Sequence, residues 1–202
     1  MFNMKKIFLI IPLFLWSCFS SGITKQEPVE LSYPDTLPVI KRAEWGSASI
    51  DTSFSTHKIK YITVHHGGVE YKKGEDPYKH VKDLQTWSRK EKKWVDIPYH
   101  FMISPDGKIF EARPVNIPGD TNTEYDPTGH ALVEVMGNFE VQEFPKAQYK
   151  SMIGLIKFLS EKFDVPVNRI KTHRDYSNMT VCPGKNVYKL FTDGTIEKAL
   201  KQ

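Results

Sequence analysis

The chain has 202 residues, 40% hydrophobic and 26% charged, which fits a water-soluble globular protein and excludes disordered, collagen-like and multi-spanning membrane chains. One domain of about 150 to 180 residues is expected, enough to bury a core without cross-links. The formal charge of +4 is too small for a dedicated nucleic-acid binder, so no nucleic-acid partner is expected.

The elements begin with residues 1–6, which supply Lys5 and Lys6, and residues 7–16, an apolar run broken only by Pro12. At ~1.5 Å per residue such a run crosses about half a bilayer, so it is a signal-peptide core and not a transmembrane anchor. Leu15-Trp16-Ser17-Cys18 follows and resembles the bacterial lipobox, in which the cysteine is lipid-modified on sulfur and becomes the first residue after cleavage. On that resemblance residues 1–17 are a lipoprotein signal peptide and Cys18 is the lipidation site. The alternative is an ordinary secretory signal cut near residues 20–22. Several acyl chains on one cysteine would hold the protein durably on a membrane. Phe19 is not the aspartate tied to inner-membrane retention in some Gram-negative bacteria, which points to the outer membrane or its periplasmic side. Residues 20–38 are polar, carry three prolines and show no period, so residues 18–38 read as a lipid-anchored tether and residues 39–202 as one domain.

Within the domain, residues 57–64 (HKIKYITV) are rich in β-branched and aromatic side chains and precede Gly67-Gly68, which predicts a strand opening into a loop. Asp76-Pro77 predicts a helix start, with Tyr78, Val81, Leu84 and Trp87 at helical spacing. Residues 99–104 and 108–111 flank Pro105-Asp106-Gly107 as a β-hairpin, and residues 131–136 form an apolar strand ending at Gly137. After Pro145, the stripe Tyr149, Met152, Ile153, Ile156, Leu159 and Phe163 predicts a core-facing helix. A short strand at residues 169–172 and a helix within residues 186–201 complete an α/β fold, a mixed central sheet flanked by helices.

Seven histidines offer metal ligands, and their positions separate them. His65 and His66 end the first strand, His100 opens the hairpin, His130 precedes an apolar strand, and His173 lies nine positions before Cys182. Imidazoles and a thiolate suit Zn²⁺, and three protein ligands leave a fourth position open. Neighbours on a strand face opposite ways, so only one of His65 and His66 can enter such a site. From the residues alone, solvated histidines and a buried, inert Cys182 remain the alternatives.

The segments taken together resemble one family. They are Arg42-Ala43-Glu44-Trp45-Gly46, Ile62-Thr63-Val64-His65-His66, Ile97-Pro98-Tyr99-His100-Phe101 with the following Asp106-Gly107 turn, residues 129–139 (GHALVEVMGNF), His173-Arg174-Asp175 and Thr180-Val181-Cys182-Pro183-Gly184. In this order they are similar to the N-acetylmuramoyl-L-alanine amidases of the peptidoglycan recognition protein and phage-lysozyme-like superfamily. The resemblance implies a monomeric zinc amidase acting on peptidoglycan or muropeptides, its metal held by His65, His173 and Cys182. It marks Tyr99 and Thr180 as catalytic residues flanking the attacking water and the substrate carbonyl, with His66, His130 and Arg174 as substrate-binding candidates. Members that only recognise peptidoglycan typically lack the cysteine ligand, so Cys182 favours an enzyme over a noncatalytic binding module. The His173 to Cys182 interval is one residue longer than is common in the family, which predicts a bulge at residues 176–179. Trp45 is expected to pack near the start of the domain. Each cysteine then has its own role, and no disulfide is expected.

Overall fold

The computed structural model describes residues 27–50 and 53–202. The expected signal peptide and the lipidation site at Cys18 lie outside those residues. Among the described residues no helix is long and apolar enough to cross a membrane.

Among the described residues six strands form one sheet: β1 (Val39–Ile40), β2 (Tyr61–His66), β3 (Phe101–Ile103), β4 (Ile109–Glu111), β5 (His130–Val135) and β6 (Ile170–Thr172). Their order is β1-β4-β3-β5-β2-β6, and only the β3/β4 hairpin pairs antiparallel. The connections between parallel strands carry helices α1 (Pro77–Lys90) and α2 (Lys146–Phe163), while α3 (Lys185–Thr192) and α4 (Thr195–Leu200) follow β6. The single helix expected within residues 186–201 is thus two, divided at Asp193 and Gly194, where Gly194 takes a left-handed φ of 79°.

The two periodicities decide which side chains meet. Along β2 and β5, Ile62, Val64, Ala131, Val133 and Val135 point to the α2 face, where Met152, Leu155, Ile156 and Leu159 complete the larger core. Each such side chain contributes roughly 1.5–3 kcal/mol by leaving water. A smaller cluster with Trp45, Val81, Ile97, Met102 and Phe110 fills the other side under α1. Trp45 is buried as expected, and its indole N–H donates to the Glu111 carbonyl at 2.7 Å. The α1 N-terminus is capped by Asp76, whose carboxylate accepts the Tyr78 N–H at 3.0 Å, with Pro77 at the first helical position.

The strand expected at residues 57–64 lies at 61–66 instead, so both histidines belong to it. Before it, His57 clamps two loops: its Nε2 bonds the Val115 carbonyl at 2.9 Å and its Nδ1 accepts the Gly129 N–H at 2.7 Å. The tether expected up to residue 38 also needs correction. Leu31 and Leu37 are buried in the larger core, and the Tyr33 ring packs on Phe101 and Phe158. The Val29 N–H is taken by the Asn116 side chain at 2.9 Å. Those two leucines and the tyrosine supply enough apolar surface to dock the strap, although its polar composition shows no periodicity.

Candidate metal centre

His65 lies near the C-terminal end of β2 on the face away from α2, opposite Glu134 of β5 in the register. His173 opens a single turn, His173–Asp175, directly after β6. That turn is pinned by Asp175, whose Oδ2 accepts both the Thr172 N–H at 2.8 Å and the Thr172 hydroxyl at 2.7 Å. Cys182 is brought to the same spot by one backbone bond and one bond to its sulfur. Its carbonyl accepts the Arg174 N–H at 2.9 Å, and its Sγ accepts the His66 N–H at 3.3 Å. The next turn depends on Gly184: φ is 82°, and a Cβ there would sit 2.3 Å from the Phe139 carbonyl carbon.

One donor atom from each of His65, His173 and Cys182 lies within 4.8 Å of the others, and all three residues are buried. His65 Nδ1 is 3.7 Å from Cys182 Sγ, whereas His65 Nε2 has no hydrogen-bond partner. Burial and the surrounding imidazoles, His173 first, hold His65 well below the ordinary histidine pKa, and burial lowers His173 as well. Both rings are therefore neutral near pH 7 and carry a free lone pair. Burial pushes the Cys182 thiol up to about 12. Two neutral imidazoles and a buried, unpaired thiol in one cluster fit a zinc ion by donor chemistry.

The cluster lies in a cavity of about 630 Å³. Tyr99 and Thr180 both line it. The Tyr99 ring is 5.3 Å from that of His65, and burial, with Cys182 and Glu134 adding to it, raises its pKa well above 10, so the phenol keeps its proton. The Thr180 hydroxyl oxygen accepts the Cys182 N–H at 3.1 Å. His66 also lines the cavity, but its Nδ1 accepts the Phe139 N–H at 3.1 Å, so its ring is committed elsewhere than the cluster, as strand alternation predicts.

Two of the substrate-binding candidates do not reach this cavity. His130 is buried on the far side of Thr63, bonded to its hydroxyl at 2.8 Å and stacked on Tyr61, because it sits at the opposite end of β5. Arg174 is exposed and covers the Tyr188 ring at 4.9 Å, since the turn at His173 aims successive side chains in different directions. In the interval between His173 and Cys182, the Ser177 hydroxyl donates to Glu124 at 2.8 Å and Met179 is 71% exposed.

The cavity also holds groups to which the sequence reading gave no role in the site. Glu134 is buried, neither carboxyl oxygen has a hydrogen-bond partner, and burial raises its pKa well above the ordinary carboxylate value. Trp87 lies on the apolar stripe of α1, yet it is 43% exposed and meets Trp94 edge to face at 6.1 Å on the cavity wall. Thr121 and Thr123 reach His173 from the loop after β4.

A mixed sheet that gathers two imidazoles and a thiol at the floor of an open cleft defines an α/β domain with a candidate zinc centre. The chain belongs to the N-acetylmuramoyl-L-alanine amidase family, which it matches over residues 55–185. It is 26% identical to peptidoglycan recognition protein 1 of Mus musculus over 75% of this chain and 85% of that one. Among solved structures, the N-acetylmuramoyl-L-alanine amidase LysC from Clostridium intestinale URNW superposes with a TM-score of 0.65 at 24% identity, covering 81% of this chain and 97% of that one. Human PGRP-IBETAC in complex with glycosamyl muramyl pentapeptide gives 0.66 at 24% identity, covering 76% and 94%. At such identities these structures speak to the shared fold.

Proposed function

We propose that the protein is a zinc-dependent N-acetylmuramoyl-L-alanine amidase that hydrolyses the amide between the lactyl group of N-acetylmuramic acid and the L-alanine of the stem peptide. The observation that carries this reading is the convergence of His65, His173 and Cys182 within 4.8 Å in an open cavity. A zinc ion held by these three would supply Lewis-acid polarisation of the carbonyl and activation of water. Tyr99, kept protonated, is placed to donate its hydroxyl hydrogen to the carbonyl oxygen as negative charge develops there. Glu134, a buried carboxyl in the same cavity whose pKa burial raises, would take the proton lost by the attacking water and pass it to the departing alanine amine. Thr180 fixes the approach of the Cys182 segment through its bond to the Cys182 N–H. The indoles of Trp87 and Trp94 offer flat apolar surface to a substrate lying along the cleft.

The human relative whose description includes a muramyl pentapeptide supports muropeptides as the ligand class. We assign the working site to the cell envelope, with Cys18 as the lipid attachment point. Metabolic labelling with a fatty acid, lost in Cys18→Ser, tests that assignment. The central test is zinc content together with hydrolysis of defined muropeptides. One bound zinc and release of intact stem peptides supports the amidase. Tight binding without release would instead make the protein a recognition module.

A further inference from the structure

We propose that Thr123, backed by Thr121, is a positioning residue that sets the tautomer of His173 for metal capture. The proposal rests on the zinc reading above. His173 Nε2 lies 2.8 Å from the Thr123 hydroxyl oxygen and 3.4 Å from that of Thr121. A hydroxyl can either donate to or accept from an imidazole nitrogen, so the direction of the bond decides which ring nitrogen carries the proton. Thr121 gives the Thr123 hydrogen an acceptor other than the ring. Its oxygen accepts the Thr123 N–H at 3.2 Å and lies 3.0 Å from the Thr123 hydroxyl oxygen. The hydroxyl pair can be ordered either way; in the order we assign, the Thr123 hydrogen goes to Thr121 and the lone pairs of the Thr123 oxygen face His173. Nε2 then has to be the donor, and the lone pair on Nδ1 is left for the ion.

Ligand histidines usually give their second N–H to a carboxylate, a carbonyl or water, which fixes the ring and raises its basicity. Here a pair of hydroxyls takes that place, and the loop carrying them is anchored by Arg113. The buried Arg113 side chain donates to the Ile97 carbonyl at 2.7 Å and the Asp96 carbonyl at 2.8 Å. The same guanidinium bonds Pro118 and the Asp120 carboxylate, which directly precedes the two threonines. A loop built in this way presents Thr121 and Thr123 at a fixed distance from β6 and the His173 turn. His65 has no such support, because its Nε2 is unpartnered.

The test compares wild type, Thr123→Val and Thr123→Ser by competition of Zn²⁺ against a chromophoric chelator. The visible spectrum of each Co²⁺-loaded protein and the thermal midpoint of each metal-free protein are recorded in parallel. Valine keeps the shape and removes the hydroxyl, so Zn²⁺ affinity is expected to fall about 10- to 100-fold with the metal-free midpoint unchanged. Serine restores both affinity and the Co²⁺ bands. Wild-type affinity in Thr123→Val overturns the proposal. So does an equal loss in Thr123→Ser, or a lowered metal-free midpoint in the valine variant, since either shows that the methyl and the loop packing matter and not the hydroxyl. If wild type itself fails to bind Zn²⁺, the metal reading falls first and this proposal goes with it.

Discussion

Replacing Cys182 by serine separates metal chemistry from folding. The thiol is 6% exposed, accepts one backbone N–H at 3.3 Å, and sits in a segment held by other bonds: Arg174 N–H to the Cys182 carbonyl and Cys182 N–H to Thr180. A serine oxygen occupies nearly the same place and can still accept the His66 N–H, so the metal-free protein should lose no more than about 1 kcal/mol of stability. Zinc binding should suffer far more. Structural zinc in small peptides is worth about 10–16 kcal/mol, so one ligand in four carries about 2.5–4 kcal/mol, roughly two to three orders of magnitude in affinity. Chelator competition measures that loss, and muropeptide hydrolysis at limiting zinc should fall with it. Full activity in Cys182→Ser, or in wild type stripped by a chelator, would refute the reasoning.

Tyr99→Phe should lower the rate of hydrolysis roughly 10²- to 10³-fold while zinc content stays at the wild-type value, because it removes one donor from the developing oxyanion. An unchanged rate removes Tyr99 from the chemistry. Gly184→Ala should cost about 1–3 kcal/mol in backbone strain alone at φ 82°, read as a lower urea midpoint, and the contact with Phe139 adds to it. The metal-free protein should weaken as pH falls from 6.5 towards 4. Burial lowers His66 and His130 to about 4, His100 to about 3 and His65 well below 6.5, so in that window the unfolded chain binds protons that the native state refuses. Glu134, with its raised pKa, pulls the other way as one group against these four. Urea midpoints that rise on acidification over this range would contradict the buried neutral histidines.

Much of the arrangement could be read along the chain, and the exceptions have physical causes. The α2 stripe was plain because a helix buried on one side repeats its apolar residues every three or four positions; Met152, Ile156 and Leu159 are fully buried. Among seven histidines, His65 and His173 were singled out with Cys182 by the family resemblance and not by residue type alone. β1 left no mark, since two residues paired to β4 are too few to show a period. Glu134 was passed over inside the run 131–136, which reads as an apolar strand. The pairing of β5 between β3 and β2 buries both faces, and only that topology shows the acid to be inside. Thr121 and Thr123 lie in a loop whose course is set by the distant Arg113 side chain, so no local pattern points to them. Trp87 followed the helical rule, but the cleft keeps part of its indole uncovered.

The strap formed by residues 27–38 bears on where this domain can be cut. A shortened protein starting at Val39 would lose Leu31 and Leu37 from the main core and uncover the rings of Phe101 and Phe158 beneath Tyr33. It would also release the Asn116 side chain, which bonds the strap through both the Val29 N–H and the Glu27 carbonyl. Newly bared apolar surface of this kind promotes self-association. A form beginning at Glu27 should therefore stay monodisperse in light scattering and melt higher than one beginning at Val39. Equal behaviour of the two would mean that the strap adds nothing to the folded unit.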